Sequence, residues 1–383
     1  IHGDAYRKIT QVRVVSHDKV SIETEVPQPF LLSDLSLVKI YKLSGSGEII
    51  PAGAFRLSEQ TADRVVLSRV EPNHAKARAL EFRYVRDDYT RYQMLMRGDV
   101  HAALSALSAS KTLYLEKQLP SHLFSYFAEG SNFSYLCFNF RNPILRDKRV
   151  RKAIAYALDQ KAIARYRYGD RIATPARSVL SPLMKSVYAT DLAGYAHNVK
   201  KAQELLESAG YPVNPKTGIR LSLELKTSNE KFAMDLGQLI ANSLRDAGIA
   251  VRLRHIESGV FMSEIQRGDF QIFSSRWIGV SNPSIFARIF HSKGNVNRGR
   301  FENSTLDGLI DEAASAQTVR SDLFHKIQHL AEDELPYVNV FHWNNALFLA
   351  KQWGKSRVKA NQNIVLYPNA GYQTLADIEF EPL

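Results

Sequence analysis

Between Leu221 and Ser274 the chain switches back and forth between two hydrophobic periods, and no other feature constrains its fold as tightly. Leu221, Leu223 and Leu225 alternate as a strand. Lys231–Ala247 then predicts a helix, with Phe232, Leu236, Leu239, Ile240 and Leu244 on one face and Gly248 after its end. Ile249, Val251 and Leu253 alternate again, Ser258–Arg267 predicts a second helix, and Phe270–Ser274 a third strand. A period of 2 gives strands and one of 3.6 gives helices. Strand–helix–strand–helix–strand with short connections closes economically only as a parallel sheet with right-handed crossovers.

The 383 residues exceed one ordinary core, so two lobes are expected. An apolar fraction of 45% and a charged fraction of 23% are those of a globular protein. No window approaches the roughly 18 consecutive apolar residues of a membrane span. The opening IHGDAYRKITQV carries no apolar signal-peptide core, so any export signal is expected to be cleaved or absent from this sequence. Cys137 is the sole cysteine, which excludes a disulfide within the sequence; its apolar neighbours predict an inert thiol. The formal charge of +11 is compatible with an anionic ligand or an acidic surface. Its Lys and Arg are scattered, with no basic stripe interleaved with aromatics, which argues against nucleic acid as a partner.

In chain order, Gln11–Val15 and Val20–Val26 predict strands separated by the turn Ser16-His17-Asp18-Lys19. Ser44-Gly45-Ser46-Gly47 is a loop, without the Gly spacing or Lys-Ser/Thr pair of a phosphate cradle. Pro51–Leu57, Arg64–Val70 and Glu81–Val85 predict further strands. Asp88–Met96 predicts a helix for which Gly98 is the C-cap. Tyr135-Leu136-Cys137-Phe138 is an apolar run suited to a buried strand. Asp147 then caps a helix whose Val150, Ile154, Ala157 and Leu158 make one stripe. A loop containing Gly169, Pro175 and Pro182 follows, and then a helix over Asn198–Ala209. Beyond the alternating region, helices are expected over Thr305–Ala316 and Ser321–Glu334, and apolar returns at Val338–Phe341 and Ala346–Leu349.

No Gly-x-Ser-x-Gly, His-Glu-x-x-His, Cys-x-x-Cys or P-loop is present. His325 and His329 stand four apart on a predicted helix, but no third ligand is near in sequence, so no metal site and no cofactor are expected. Three aromatic and polar clusters are candidates for a ligand cleft. They are Tyr135 to Asn139; Ser275, Arg276 and Trp277 to Asn282 and Phe286; and Phe341 to Asn345, which includes Trp343. The second lies just past a predicted parallel strand, where open α/β sheets bind ligands. There Trp277 offers a flat apolar wall and Arg276 a fixed charge; the competing reading is that Trp277 plugs a core.

The chain resembles the family 5 extracellular solute-binding proteins of bacterial ABC importers, which include dipeptide, oligopeptide and nickel-chelate binders. Asn139, Pro143, Asp147, Arg149, Val150, Arg151, Ala153 and Asp159 match that family's central signature. Val20–Phe30 is similar to its T-V-x-I-x-L-x-x-P-x-P-F strand, and Pro51–Leu57 to its G-T-G-P-F-x-L turn. Asp87–Val100 resembles its D-x-x-x-R-x-x-x-L-x-x-G-E-x-D segment, with Asp99 for the Glu. Asn198–Tyr211 is similar to the A-x-x-L-L-x-x-A-G-Y helix, and Trp277, Pro283 and Phe286 fit the W-x-G-D-x-x-D-P-x-x-F loop.

The resemblance implies an α/β, two-lobed periplasmic-binding-protein fold (class II, cluster C). Lobe one is expected to comprise 1–138 and 356–383, and lobe two 139–355, with crossing strands near Tyr135–Asn139 and Ala350–Ala360. Relatives of this kind carry a stretch upstream of Ile1, so lobe one is expected to be incomplete at its N-terminus, with exposed sheet edges. The implied function is capture of a peptide or similar small solute between the lobes, without catalysis, and delivery to an ABC permease of the inner membrane. The implied compartment is the periplasm or cell exterior, with a lipid anchor as an option.

The family's dipeptide and oligopeptide binders use an Asp in the Trp loop to hold the ligand's α-amino group. Here Val280 stands in that place and Asn282 replaces the acid before Pro283. An anionic or N-blocked ligand, including a nickel chelate, is therefore an alternative to a free peptide. Two other classes compete: a ligand-sensing domain of a transcriptional regulator, and a hydrolase on an α/β scaffold.

Overall fold

The computed structural model describes residues 6–35, 38, 40–47, 49–70, 77–280 and 282–351. Compact packing divides the chain into two units. Among the described residues, unit 1 takes 6–35, Ser131–Ile163 and Pro175–His342, and unit 2 takes 38–130, Ala164–Thr174 and 343–351.

The N-terminal segment is a hairpin, β1 (Ile9–Ser16) and β2 (Lys19–Thr24), followed by a short helix α1 (Leu31–Leu35). Its register pairs Val12 with Ile22 and Val14 with Val20. This segment packs within unit 1, whereas the expected division placed 1–138 together in lobe one. The reason lies in its end: Phe30 is packed against Phe324 at 5.6 Å, and Asp34 accepts a hydrogen bond from Asn282 at 2.8 Å.

Unit 2 continues with β3 (Tyr41–Leu43), β4 (Ile49–Pro51), β5 (Phe55–Gln60), β6 (Arg64–Arg69) and β7 (Ala79–Arg83). β3–β4 and β5–β6–β7 form separate antiparallel sheets. The strand expected over Pro51–Leu57 is interrupted, because residues 52–54 bend between β4 and β5. Helix α2 (Asp88–Arg97) starts on Asp87, which accepts from Thr90 N at 2.7 Å, and ends on Gly98 with φ 78°. That left-handed residue is the one place in the helix exit where a Cβ would be strained. Then come β8 (Ala102–Leu104), α3 (Ala109–Lys117) and the long strand β9 (Leu123–Phe138), whose course runs from unit 2 into unit 1 at Gly130/Ser131. The core of unit 2 gathers Tyr92, Leu95, Leu115, Leu123 and Phe348.

In unit 1, Asn142 opens α4 (Pro143–Arg146) and Asp147 opens α5 (Lys148–Ala157), accepting from Arg149 N at 2.8 Å. The expected stripe of Val150, Ile154, Ala157 and Leu158 is buried. α6 (Gln160–Ile163) follows. The chain then re-enters unit 2 as one π-type turn, Ala164–Tyr168, and reaches β10 (Ala173–Pro175). Helix α7 (Val199–Ser208) is capped by Asn198. The alternating region forms β11 (Leu221–Ser228), α8 (Lys231–Arg245), β12 (Ile249–Ile256), α9 (Ser258–Arg267) and β13 (Ile272–Trp277). β11 lies parallel to both β12 and β13, as the period pattern requires. β13 runs antiparallel to β9, with Ser275 opposite Tyr135 and Trp277 opposite Phe133.

Helices α10 (Ile285–Ile289), α11 (Ser304–Ser315) and α12 (Ser321–Glu334) precede β14 (Tyr337–Ala350), a single strand holding both expected apolar returns. Along the sheet the order of these strands is β14-β9-β13-β11-β12. The expected second crossing near Ala350–Ala360 lies, beyond Lys351, outside the described residues, as does 356–383. The observed change of unit on β14 is at His342/Trp343. The main core of unit 1 is rich in aromatics: Phe133, Tyr135, Phe273, Phe286, Phe290, Phe324 and Tyr337 among others.

Candidate functional site

β13 ends on Trp277, so Ser275, Arg276 and Trp277 are the last rungs of a strand rather than residues beyond it, a correction to the sequence expectation. The cause is local: Arg276 and Trp277 pair with Ser134 and Phe133 of β9, which extends the ladder past the apolar run that marked the strand in the sequence. The chain then turns at Gly279, with φ 72°, and its N–H is held by Asn132 Oδ1 at 2.8 Å. This turn carries Val280 and Asn282 over the unit 1 core, where both are buried.

Within unit 1 a cleft of about 460 Å3 opens beside Trp277. That volume lies within the range of about 300–1,000 Å3 typical of small-molecule sites. Phe30, Ile278, Phe286, Ile310 and Phe324 give it apolar walls. Its charged lining residues are Lys8, Arg276 and Arg288 against Asp34. Arg288 sits over the Trp277 ring at 5.5 Å, a cation–π contact worth about 1 kcal/mol. Arg276 leans instead over Phe232 at 5.0 Å. Asn282 is fixed three times, donating to Asp34 Oδ1 at 2.8 Å and accepting from Ser284 N at 3.0 Å and from the Ser284 hydroxyl. The Tyr6 hydroxyl donates to the Asp34 carbonyl at 2.7 Å, and burial followed by the Asp34 charge pushes its phenol up.

Of the residues expected to bind ligand, Trp277, Arg276, Asn282 and Phe286 line this cleft together. Phe286 does so as a core residue, 1% exposed and stacked near Phe324. Tyr135 and Ser275 are not among the lining residues. The Tyr135 ring stacks on Tyr337 at 4.4 Å, and burial raises its phenol well above the usual range. The Asn139 amide is occupied in holding the chain before β13, donating to Gly268 O at 3.0 Å and Phe270 O at 2.7 Å. Trp343 belongs to unit 2, edge-on to Tyr168 at 5.0 Å, where its carbonyl lies against Gly130 so closely that an added Cβ would sit 2.0 Å away. Sequence reasoning missed Lys8, Gln28, Asp34, Arg288 and Ile310, and of these all but Arg288 are distant in sequence from the Trp loop. Only Arg288, two residues past Phe286, carried a usable signal.

Other chemistry-bearing groups are engaged elsewhere. His329 Nε2 lies 3.0 Å from Asp191 Oδ1. Cys137 is buried and its thiol is pushed up by that burial, so it stays protonated. A second hollow of about 310 Å3 is lined by Gln160, Arg177, Glu332 and Asn339. Two of its polar groups bond to the surrounding backbone: Gln160 donates to Asn339 O at 2.6 Å, and Glu332 accepts from Gly194 N at 2.6 Å.

A family model described as bacterial extracellular solute-binding proteins, family 5 Middle, matches residues 3–298. The dipeptide-binding protein DppE of Bacillus subtilis is 24% identical over 375 residues, covering 89% of this chain and 67% of that protein. The probable deoxycholate-binding periplasmic protein YgiS of Escherichia coli is 26% identical over 302 residues, covering 76% and 55%. The chain thus spans between about half and two thirds of the length of such curated relatives. Among solved structures, a putative peptide binding protein AppA from Clostridium difficile superposes with a TM-score of 0.83 at 18% identity, over 97% of this chain and 78% of that one. NikA from Brucella suis, in complex with Fe(III)-EDTA, gives 0.79 at 19%, over 92% and 77%. The mixed α/β fold is therefore the two-lobed binding-protein fold, and the chain belongs to the bacterial extracellular solute-binding proteins of family 5.

Proposed function

We propose that this chain is the solute-capturing component of an ABC importer, binding a peptide or similar small molecule and handing it to a membrane permease. Family membership supports that class, and relatives named for dipeptides and for di- or tripeptides support the size of the cargo. The observation that carries the reading is the Trp277 cleft. Its walls are aromatic and aliphatic, and Asn282 and Asp34 are already bonded to each other. Such a site offers surface and orientation for a bound solute without an activated nucleophile. Capture takes place outside the cytoplasmic membrane, in the periplasm or at the cell exterior, in line with relatives named as periplasmic.

The test is a thermal-shift and calorimetric panel of peptides of two to five residues together with metal–histidine chelates. A true ligand at a hundred times its Kd should stabilise the chain by about 2.7 kcal/mol. Trp277→Ala should abolish that shift while keeping a cooperative melt. A panel in which no member raises the melting temperature counts against capture.

A further inference from the structure

Resting on the reading of the Trp277 cleft as the capture site, we infer that its solute is an amphipathic carboxylic acid lacking a free amine. Its apolar body lies along Trp277, Phe30 and Ile310, and its carboxylate meets Arg288 and Gln28.

Charge decides the polar end. Three cationic side chains line the cleft against one carboxylate, Asp34, which is 6% exposed and already accepts the Asn282 amide at 2.8 Å. An ammonium group would have to enter that buried pair. The neighbouring position that could offer a second acid holds Val280, 4% exposed and packed in the unit 1 core. Among the described lining residues, no exposed carboxylate is therefore available to an amine.

Anion recognition has two donors in place. Arg288 Nε and Gln28 Nε2 are buried and meet no hydrogen-bond acceptor among the described residues. A buried donor left unmet is costly, and a carboxylate supplies acceptors for both. Arg288 is held in position for this: its guanidinium lies over Trp277 at 5.5 Å, and its carbonyl accepts from Val296 N at 3.0 Å. A guanidinium held over an aromatic ring presents a planar fork matched to a carboxylate. The aromatic and aliphatic walls require an apolar body beside that charge.

Calorimetry of the chain with N-acetyl-phenylalanyl-leucine, its C-terminal amide and unacetylated phenylalanyl-leucine tests this. The acetylated acid should bind, and its amide about tenfold more weakly, as expected for loss of a charge-assisted pair. The unacetylated dipeptide should bind no more tightly than the acetylated one. Arg288→Gln should lower the acid to the amide's affinity while leaving the amide nearly unchanged. If that variant does not melt cooperatively, Gln28→Leu reads the same selective loss. Tighter binding of the free-amine dipeptide, or equal binding of acid and amide, overturns the inference while capture stands. Silence from all three probes also overturns it, and the broader panel above then decides whether capture itself fails.

Discussion

Arg151 is the second arginine of the signature segment, and its job is structural. It is 2% exposed and its guanidinium is spent on carbonyls: Leu145 O at 2.9 Å, Arg146 O at 2.8 Å, Glu334 O at 2.6 Å and Leu335 O at 3.2 Å. The group also lies over the Phe140 ring at 4.5 Å. Burial pulls it down to about 10, against the pull of Glu334, so it remains charged at neutral pH. One side chain thus ties the α4–α5 corner to the end of α12, where Leu335 is held at φ 49°. Arg151→Ala removes the donor and strands those carbonyls, and should cost roughly 3–5 kcal/mol in urea unfolding. Arg151→Lys keeps the charge but not the fork, and should recover only part of the loss. A near-neutral Arg151→Ala would refute the assignment. The signature was readable in the sequence; that its arginine faces backbone oxygens rather than ligand was not, because Glu334 and Leu335 lie far along the chain.

At the scale of elements, β14 carries one pH-dependent contribution to stability. His342 is 3% exposed beside the Phe133 ring at 6.3 Å. Burial lowers it from 6.5 to about 4, with the backbone at Ser178 and Leu180 pulling weakly the other way. The folded chain therefore holds this imidazole neutral where the unfolded chain would protonate it. Its contribution is complete above pH 6.5 and declines as the pH falls toward 4, by a total on the order of 3 kcal/mol. Unfolding free energies of the parent chain and His342→Phe, measured from pH 7.5 to 4, should diverge in slope across that window, the variant being less acid-sensitive. Parallel slopes would show that His342 does not carry it.

Element legibility follows from the same physics. Ser258–Arg267 is legible because its amphipathic period agrees with the Gly268 stop, and Ser321–Glu334 because its period is sustained over 14 residues. Ala109–Lys117 escaped because a nine-residue helix with few apolar positions has little period to read, although Ser108 caps it. β9 reads as four residues in sequence but spans 16, since Ser125, Glu129, Ser131 and Asn132 interrupt the alternation.

At the scale of the whole molecule, the hairpin of β1 and β2 predicts a tendency to associate. Val12, Val14 and Val20 are 62%, 75% and 59% exposed, and with Ile22 they form one cross-strand apolar face. An uncovered apolar two-stranded ribbon invites edge and face association. The chain should show concentration-dependent growth in light scattering, and Val12→Lys with Val14→Lys should suppress it without lowering the melting temperature by more than a few degrees. Scattering that is unchanged by the double variant would place the sticky surface elsewhere.

Local chemistry in the sequence determined the caps, the helix faces, the parallel βαβαβ region and the family, because each depends on residues within a turn or two of one another. Only the tertiary structure decided that Lys8, Gln28, Phe30 and Asp34 line the cleft beside Trp277, that Asn282 answers Asp34, and that Arg288 lies over the Trp277 ring. Those pairings join residues up to 248 positions apart. Their selection rests on burial of the whole aromatic core, a quantity that no short stretch of sequence contains.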